Sequence, residues 1–460
     1  MKKLLSLILS LLLTLGLLSG LPAARAEDSD LPPWLSDEAR AFALEMMEMF
    51  GCTPAPGGEV RTSELEPGKN YVFWEAVELV IDEDYSSSVL CAYGGFTIRG
   101  DAVLTVEILN TRSACDMESG TVVCPVMENP PDDDTTVHNG ITAYGGVRIK
   151  GGSLSCPVIS AGPETVHVSG GEVQAGTINA LFGYSQSDGS VKAGYIFARE
   201  GFSISGGFLD VDSISSYFIN FDGGVTLLRS VDGVSGPEEQ AAVSIRFPMM
   251  ITEPAGVRYR DGRFVDRDGN TVPGTKRIEK VEVDCPFTDV AESSYVYRSM
   301  LWAYYFGITS GTDATHFSPK MLCTRAQLVT FLWKAAGSPE PESTSCPFLD
   351  VPADAYYCKA VLWAAENGIT AGKTESTFAP KETCTRAQLL TFLWRSQGSP
   401  VVASYYDPNF TDVPKDAYYY KAVCWFASKG IVFGTSEDCF SPKNPCSRGQ
   451  AVVFLERVFG

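Results

Sequence analysis

Residues 346–398 read CPFLDVPADAYYCKAVLWAAENGITAGKTESTFAPKETCTRAQLLTFLWRSQG. Asp354 is a candidate cap for a helix running over Lys359, Leu362 and Ala365, and Gly368 sits where a helix needs a left-handed stop. Thr385-Arg386-Ala387-Gln388 is a capping box: the Thr oxygen takes the amide three residues on, and the Gln reaches back to the cap. Leu389, Leu390, Phe392 and Leu393 supply an apolar face, which Gly398 ends. A unit of helix, Gly-marked loop and helix is too small to bury a core comfortably alone.

The unit occurs three times. Phe287-Thr288-Asp289-Val290, Phe348-Leu349-Asp350-Val351 and Phe410-Thr411-Asp412-Val413 open copies spaced 61 and 62 residues apart. A Tyr-rich stretch follows, then an apolar segment with Trp302, Trp363 or Trp425, then Gly-Ile, then a second glycine (Gly311, Gly372, Gly434). Each copy continues with Phe-x-Pro and closes on Thr-Arg-Ala-Gln, or Ser447-Arg448-Gly449-Gln450 in the third. Three copies of such a unit are expected to pack together.

This pattern resembles the S-layer homology domain, the cell-wall anchoring module of bacterial surface proteins. The match covers 285–460, as copies 285–337, 346–398 and 410–460. The resemblance implies three helical modules in a pseudo-threefold assembly with ligand grooves between its prongs. It implies a surface location and, as ligand, a secondary cell-wall polysaccharide carrying ketal-linked pyruvate or, in some lineages, modified peptidoglycan.

The chemistry of the residues agrees with that use. Arg325, Arg386 and Arg448 each occupy the first turn of a capped helix, where unpaired amides and the positive dipole end favour an anion. A guanidinium adds a planar fork matched to a carboxylate. Alternatively, each Arg bridges to its own copy's Asp289, Asp350 or Asp412. Trp302, Trp363, Trp425 and the nearby tyrosines are candidates to stack on sugar faces, and Gly311, Gly372 and Gly434 let backbone approach a ligand. With the three aspartates, these complete the candidate glycan-binding set. The third copy departs at Val432-Phe433, Ser447 and Gly449, so its groove differs most.

Composition narrows the rest. The chain has 460 residues, 45% apolar and 20% charged, which fits several globular domains. A net charge of −20 argues against nucleic-acid binding, and three His (His138, His167, His316) make a His-rich metal site or triad hard to assemble. No cofactor is expected. Lys2 and Lys3, the Leu-rich run to Leu18 and Ala24-Arg25-Ala26 read as an export signal over 1–26, with no membrane span after it. From Cys285 onward 15 Lys/Arg meet 16 Asp/Glu, a net of −1, whereas 27–284 carries −22.

An exported chain can oxidise its thiols. Cys285 and Cys323 are 38 residues apart, as are Cys346 and Cys384, at matching motif positions. Two equivalent disulfides are therefore expected, with Cys439–Cys446 as a third pair; buried free thiols are the alternative. No Cys-x-x-Cys occurs, so redox catalysis is not expected.

The N-terminal half opens with a short helical segment in 27–69 and turns to β character from about Tyr71. Val147-x-Ile149-x-Gly151-Gly152-x-Leu154 recurs from Val166 and again from Phe202. The second glycine falls at 152, 171, 189, 207 and 224, and Ile178, Ile196 and Ile214 follow at matching offsets. A period near 18 predicts a right-handed parallel β-helix, a β-solenoid over 70–250, with Phe96-x-Ile98-x-Gly100 as a first coil. A sandwich of hairpins is the alternative. Residues 251–284 read as a hairpin and linker. The solenoid is expected to act in display or adhesion, with host or environmental glycans as possible partners. The rival is a wall-anchored lyase or hydrolase built on carboxylates such as Asp132-Asp133-Asp134 beside His138, or Asp210 and Asp212, which share one strand face. No residue is assigned a catalytic role.

Overall fold

The computed structural model describes residues 31–125, 140–232, 242–245, 247–260, 262–266, 269–401 and 407–460. The stretch 1–26 read as an export signal and the Asp132–Asp134/His138 cluster lie outside them. The chain forms two units, one reaching Lys280 and the other Val281–Gly460.

The first unit is a β-solenoid of about nine turns over residues 53–231. Its strands pair in parallel with the coil before and the coil after, so equivalent residues stack in columns. One inward column runs Leu79, Ile98, Met117, Ile149, Val168, Gln186, Ile204 and Phe221. Another runs Ile159, Ile178, Ile196, Ile214 and Val231, so the isoleucine spacing seen in sequence is the spacing of coils. Gln186 is the polar member of its column. It is buried but satisfied, donating to the carbonyls of Gly189 and Phe208 at 3.2 and 3.0 Å and accepting from Tyr184 at 2.9 Å.

Glycines make the corners possible. Gly152, Gly171, Gly189, Gly207 and Gly224 all have φ between +69° and +82°. A Cβ on Gly171 would stand 2.6 Å from the Gly152 carbonyl oxygen, and one on Gly189 2.7 Å from that of Gly171. Both the left-handed backbone and the close stacking exclude any side chain there.

Two boundaries differ from the sequence reading. The solenoid begins before Tyr71 and well before Phe96, because Thr53–Ala55 and Gly58–Arg61 already pair in parallel with Tyr71–Phe73 and Val77–Ile81. Ahead of them helix α1 (Asp37–Phe50), capped by Ser36 and stopped by Gly51 at φ +61°, lays Phe42, Ala43, Met46 and Met47 on Val72, Val89 and Cys91. These three alternate with the core residues of their strands, so the helix covers an outward face that would otherwise be bare. At the other end the expected hairpin forms between Arg258–Arg260 and Arg263–Val265. The expected linker instead contains a strand, Lys276–Lys280, antiparallel to both Val225–Leu228 and Met249–Glu253. It closes the last coil and so occupies the open sheet edge.

The second unit contains six helices among the described residues: α2 (Tyr297–Tyr305) and α3 (Arg325–Ala335), α4 (Cys358–Glu366) and α5 (Arg386–Ser396), α6 (Tyr420–Ser428) and α7 (Arg448–Phe459). Capping boxes open α3, α5 and α7 through Thr324, Thr385 and Ser447. Asp354 does not cap α4; successive backbone turns, Ala355 to Pro352 and Cys358 to Ala355, lead into that helix instead. The second helix of each copy packs on the first helix of the next: α3 on α4, α5 on α6, and α7 back on α2.

Candidate functional site: the crevices between copies

The capped helix starts meet at the centre of the ring. The amide of Cys323 donates to the carbonyl of Cys446 (2.8 Å), that of Cys384 to Cys323 (2.9 Å), and that of Cys446 to Cys384 (2.8 Å). This cycle has approximate threefold symmetry. All thirteen cysteines are free thiols, so the expected pairs Cys285–Cys323, Cys346–Cys384 and Cys439–Cys446 are not formed. Cys323, Cys384 and Cys446 have their fully buried places at the hub, whereas Cys285, Cys346 and Cys439 are only half-buried. Recurrence of the cysteines reflected the recurring unit rather than a bond. Burial pushes the Cys323 and Cys446 thiols up to about 12 and that of Cys384 upward as well.

The three arginines form a second cycle outside the first. Arg325 Nε donates to the Phe378 carbonyl at 2.9 Å, Arg386 Nε to Phe440 at 3.1 Å, and Arg448 Nε to Phe317 at 3.0 Å. Each guanidinium thus holds the Phe-x-Pro loop of the next copy. Each also lies over two rings of that copy: Arg325 over Phe378 and Phe392, Arg386 over Phe440 and Phe454, Arg448 over Phe317 and Phe331, at 4.7 to 5.7 Å. The arginines are only 3%, 6% and 3% exposed. Burial lowers the pKa of all three.

The aspartates do other work than either sequence alternative foresaw. Asp289 accepts from the amides of Phe317 (2.9 Å) and Ser318 (2.7 Å), Asp350 from Phe378 (2.8 Å) and Ala379 (2.7 Å), and Asp412 from Phe440 (2.8 Å) and Ser441 (2.7 Å). The middle residue of each loop is left-handed, at φ +60°, +63° and +59°. Its own copy's Asp therefore grips the loop by its amides while the preceding copy's Arg grips it by its carbonyl.

The glycines and tryptophans are mostly structural here. A Cβ on Gly311 would stand 2.5 Å from the Phe287 ring, one on Gly372 2.5 Å from Phe348, and one on Gly434 2.9 Å from Phe410. Trp302 and Trp363 are buried and cannot present a face to a sugar; Trp425 is half-buried. The exposed aromatic residues that recur in all three copies are Tyr295, Tyr356 and Tyr418, six residues after each Asp. Tyr418 lies within electrostatic reach of Arg325, Tyr295 of Arg386 and Tyr356 of Arg448. Every crevice therefore draws its Arg, its loop and its Tyr from three different copies. The sequence signal for the tyrosines was their constant offset within the Tyr-rich stretch.

The outer guanidinium nitrogens differ between crevices. Arg448 Nη2 reaches Thr309 Oγ1 at 3.3 Å. At Arg386 the equivalent residue is Val432, and Nη2 reaches the Phe433 carbonyl at 3.5 Å. Phe433 is 65% exposed and lines, with Phe410, Val432 and Gly434, a cavity of about 380 Å³. Arg325 Nη2 is buried and has no hydrogen-bond partner among the described residues.

On the solenoid, Asp210 and Asp212 share one cation: Arg229 Nη1 stands 3.1 Å from the first and 2.6 Å from the second. The outward column His167, Ser185, Ser203, Asn220 is short and polar. Among the described residues, no group of three or more His, Cys, Asp or Glu is placed to hold a metal ion, and no helix is long and apolar enough to cross a membrane.

Comparison with known proteins agrees with the triplet. The model of the S-layer homology domain matches residues 286–329, 347–390 and 409–452. An endoglucanase of Bacillus sp. (strain KSM-635) is 31% identical over 184 residues, covering 38% of this chain and 18% of the relative. The surface-layer 125 kDa protein of Lysinibacillus sphaericus is 30% identical over 104 residues, 23% of this chain and 9% of the relative. A cell surface protein of Thermoanaerobacter kivui is 29% identical over 121 residues, 26% and 16% respectively. The chain thus spans less than a fifth of the length of these relatives.

Proposed function

From a chain that carries three S-layer homology domains, domains that bind cell-wall polymers and indicate a cell-wall or surface location, we propose a protein held non-covalently on the wall through its C-terminal unit. The polymer is a secondary cell-wall polysaccharide, with ketal-linked pyruvate as the recognised group, or modified peptidoglycan. The observation that carries this reading is the cyclic placement of a guanidinium at each junction between copies, with an exposed tyrosine beside it. Nε and the ring faces are spent on the fold, so a ligand carboxylate would be met by the outer nitrogens, reached past the tyrosine.

The β-solenoid is displayed by that anchor as a structural or adhesive surface. An acid–base pair for glycoside hydrolysis needs two carboxylates with separate environments. Asp210 and Asp212 instead share one arginine and so one environment, which favours display over catalysis.

The test is sedimentation of the full chain with purified native walls. Retention should fall sharply once mild acid has removed ketal pyruvate; equal retention afterwards would remove pyruvate from the reading, and no retention on native walls would remove the anchor. Release of reducing ends from wall glycan or cellulose by the full chain would favour the hydrolase instead.

A further inference from the structure

We infer that the three crevices are not equivalent, and that the one built on Arg325, the Phe378 loop and Tyr418 is the principal carboxylate-binding crevice. This rests on the wall-anchoring reading and adds which junction does the gripping.

The argument starts from what the three arginines share. All use Nε on the next copy's Phe carbonyl and all lie over two phenyl rings, so their inner chemistry is the same. Their outer chemistry is not. Arg448 and Arg386 find internal acceptors in Thr309 Oγ1 and the Phe433 carbonyl. Arg325 Nη2 finds none among the described residues, although the residue is only 3% exposed. Thr370 stands where Thr309 stands in the first copy, and each hydroxyl accepts from the glycine amide two residues on at 3.1 Å, yet only Thr309 Oγ1 also meets its arginine.

The surrounding carboxylates do not compensate. Asp350 and Glu382 are within electrostatic reach of Arg325. Asp350 is already occupied by the amides of Phe378 and Ala379, and Glu382 by Lys373 Nζ at 2.6 and 2.9 Å. A buried cationic donor without a partner is costly, and an incoming carboxylate removes that cost only at this junction. At the other two junctions it must displace a bond that exists. The ligand class is a sugar bearing a carboxylate, whether from ketal pyruvate or from a uronic acid.

The experiment compares six single variants of the full chain on purified native walls: Arg325→Lys, Arg386→Lys and Arg448→Lys, and Tyr418→Ala, Tyr295→Ala and Tyr356→Ala. The exposed tyrosines hold no part of the core, so their variants remain informative if an arginine variant unfolds. Arg325→Lys should weaken wall affinity roughly tenfold or more, as loss of a charge-assisted bond does, and Tyr418→Ala should weaken it more than either other tyrosine variant. The remaining variants should stay within about threefold. Equal losses at all three junctions, or the largest loss at Arg386 or Arg448, would overturn the inference while leaving the anchor in place. Absence of wall binding by the unaltered chain would overturn both. Walls treated with mild acid, and separately walls whose uronic acids have been reduced, tell which carboxylate Arg325 takes.

Discussion

The guanidinium of Arg386 donates to a carbonyl of the next copy, lies over two phenyl rings, and leaves only its outer nitrogens for anything else. Sequence chemistry had placed it correctly at an amide-rich helix start, yet did not tell that most of its bonding would be spent between copies. Asp350 teaches the same lesson, since it serves two backbone amides rather than the arginine. Replacing Asp350 by Ala should leave those amides without an acceptor next to left-handed Ala379, at a cost of about 2 kcal/mol. The thermal midpoint followed by tryptophan fluorescence should fall, and five of the seven tryptophans report from this unit; an unmoved midpoint would mean that the loop holds itself. The thiols give a second residue-scale expectation. Ellman titration of the folded chain should find about three accessible thiols, those of half-buried Cys285, Cys346 and Cys439, and thirteen after denaturation. Fewer than thirteen would restore some of the disulfides that the 38-residue spacing suggested.

At the scale of elements, the legible features were those with a period. The capping boxes, the Phe-x-Pro loops and the 18-residue glycine step were readable because each repeats a local physical requirement several times. The closing strand was not, because it is made once: Lys276–Lys280 occurs singly and has no second copy to reveal it, whereas α1 was legible from its own helical spacing though its seat on the outward strand face was not. Gly189 tests the glycine column. A valine there would combine a left-handed backbone with a clash against Gly171, costing about 3 kcal/mol or more, so far-UV circular dichroism should show the β signal melting at markedly lower urea. Asp82 tests how neighbouring coils are tied. It accepts from Ser63 N (3.0 Å), Ser63 Oγ (2.8 Å) and Thr62 Oγ1 (3.1 Å), and the Ser63 bonds above all hold its carboxyl down to about 2. A depressed carboxylate stabilises the fold above its unfolded value, near pH 4, and this contribution is lost as pH falls toward 2. Asp82→Asn should therefore be less stable than the parent at pH 7 and lose less stability between pH 4 and 2. Parallel acid-titration curves for the two proteins would contradict the linkage.

The whole molecule joins two assembly principles with opposite responses to truncation. The solenoid is an open stack in which each coil meets only its neighbours, so stability is a sum of similar steps. Excising residues 183–200 brings Gly201 into the place of Gly183 with every column in register, and the shortened solenoid should retain a cooperative β transition. The triplet is instead a closed cycle. Arg448 holds the first copy's loop, α7 packs on α2, and the amide ring at Cys323, Cys384 and Cys446 needs all three members. Deleting residues 402–460 removes one copy in sequence but opens two of the three junctions. The remaining two copies should lose their cooperative tryptophan-monitored transition altogether, and wall retention with it, while the β signal of the first unit persists. If they melted as a folded pair and still sedimented with walls, the copies would be independent beads rather than a ring. The crevices would then have to be assigned to single copies, since no crevice described here is made by fewer than three.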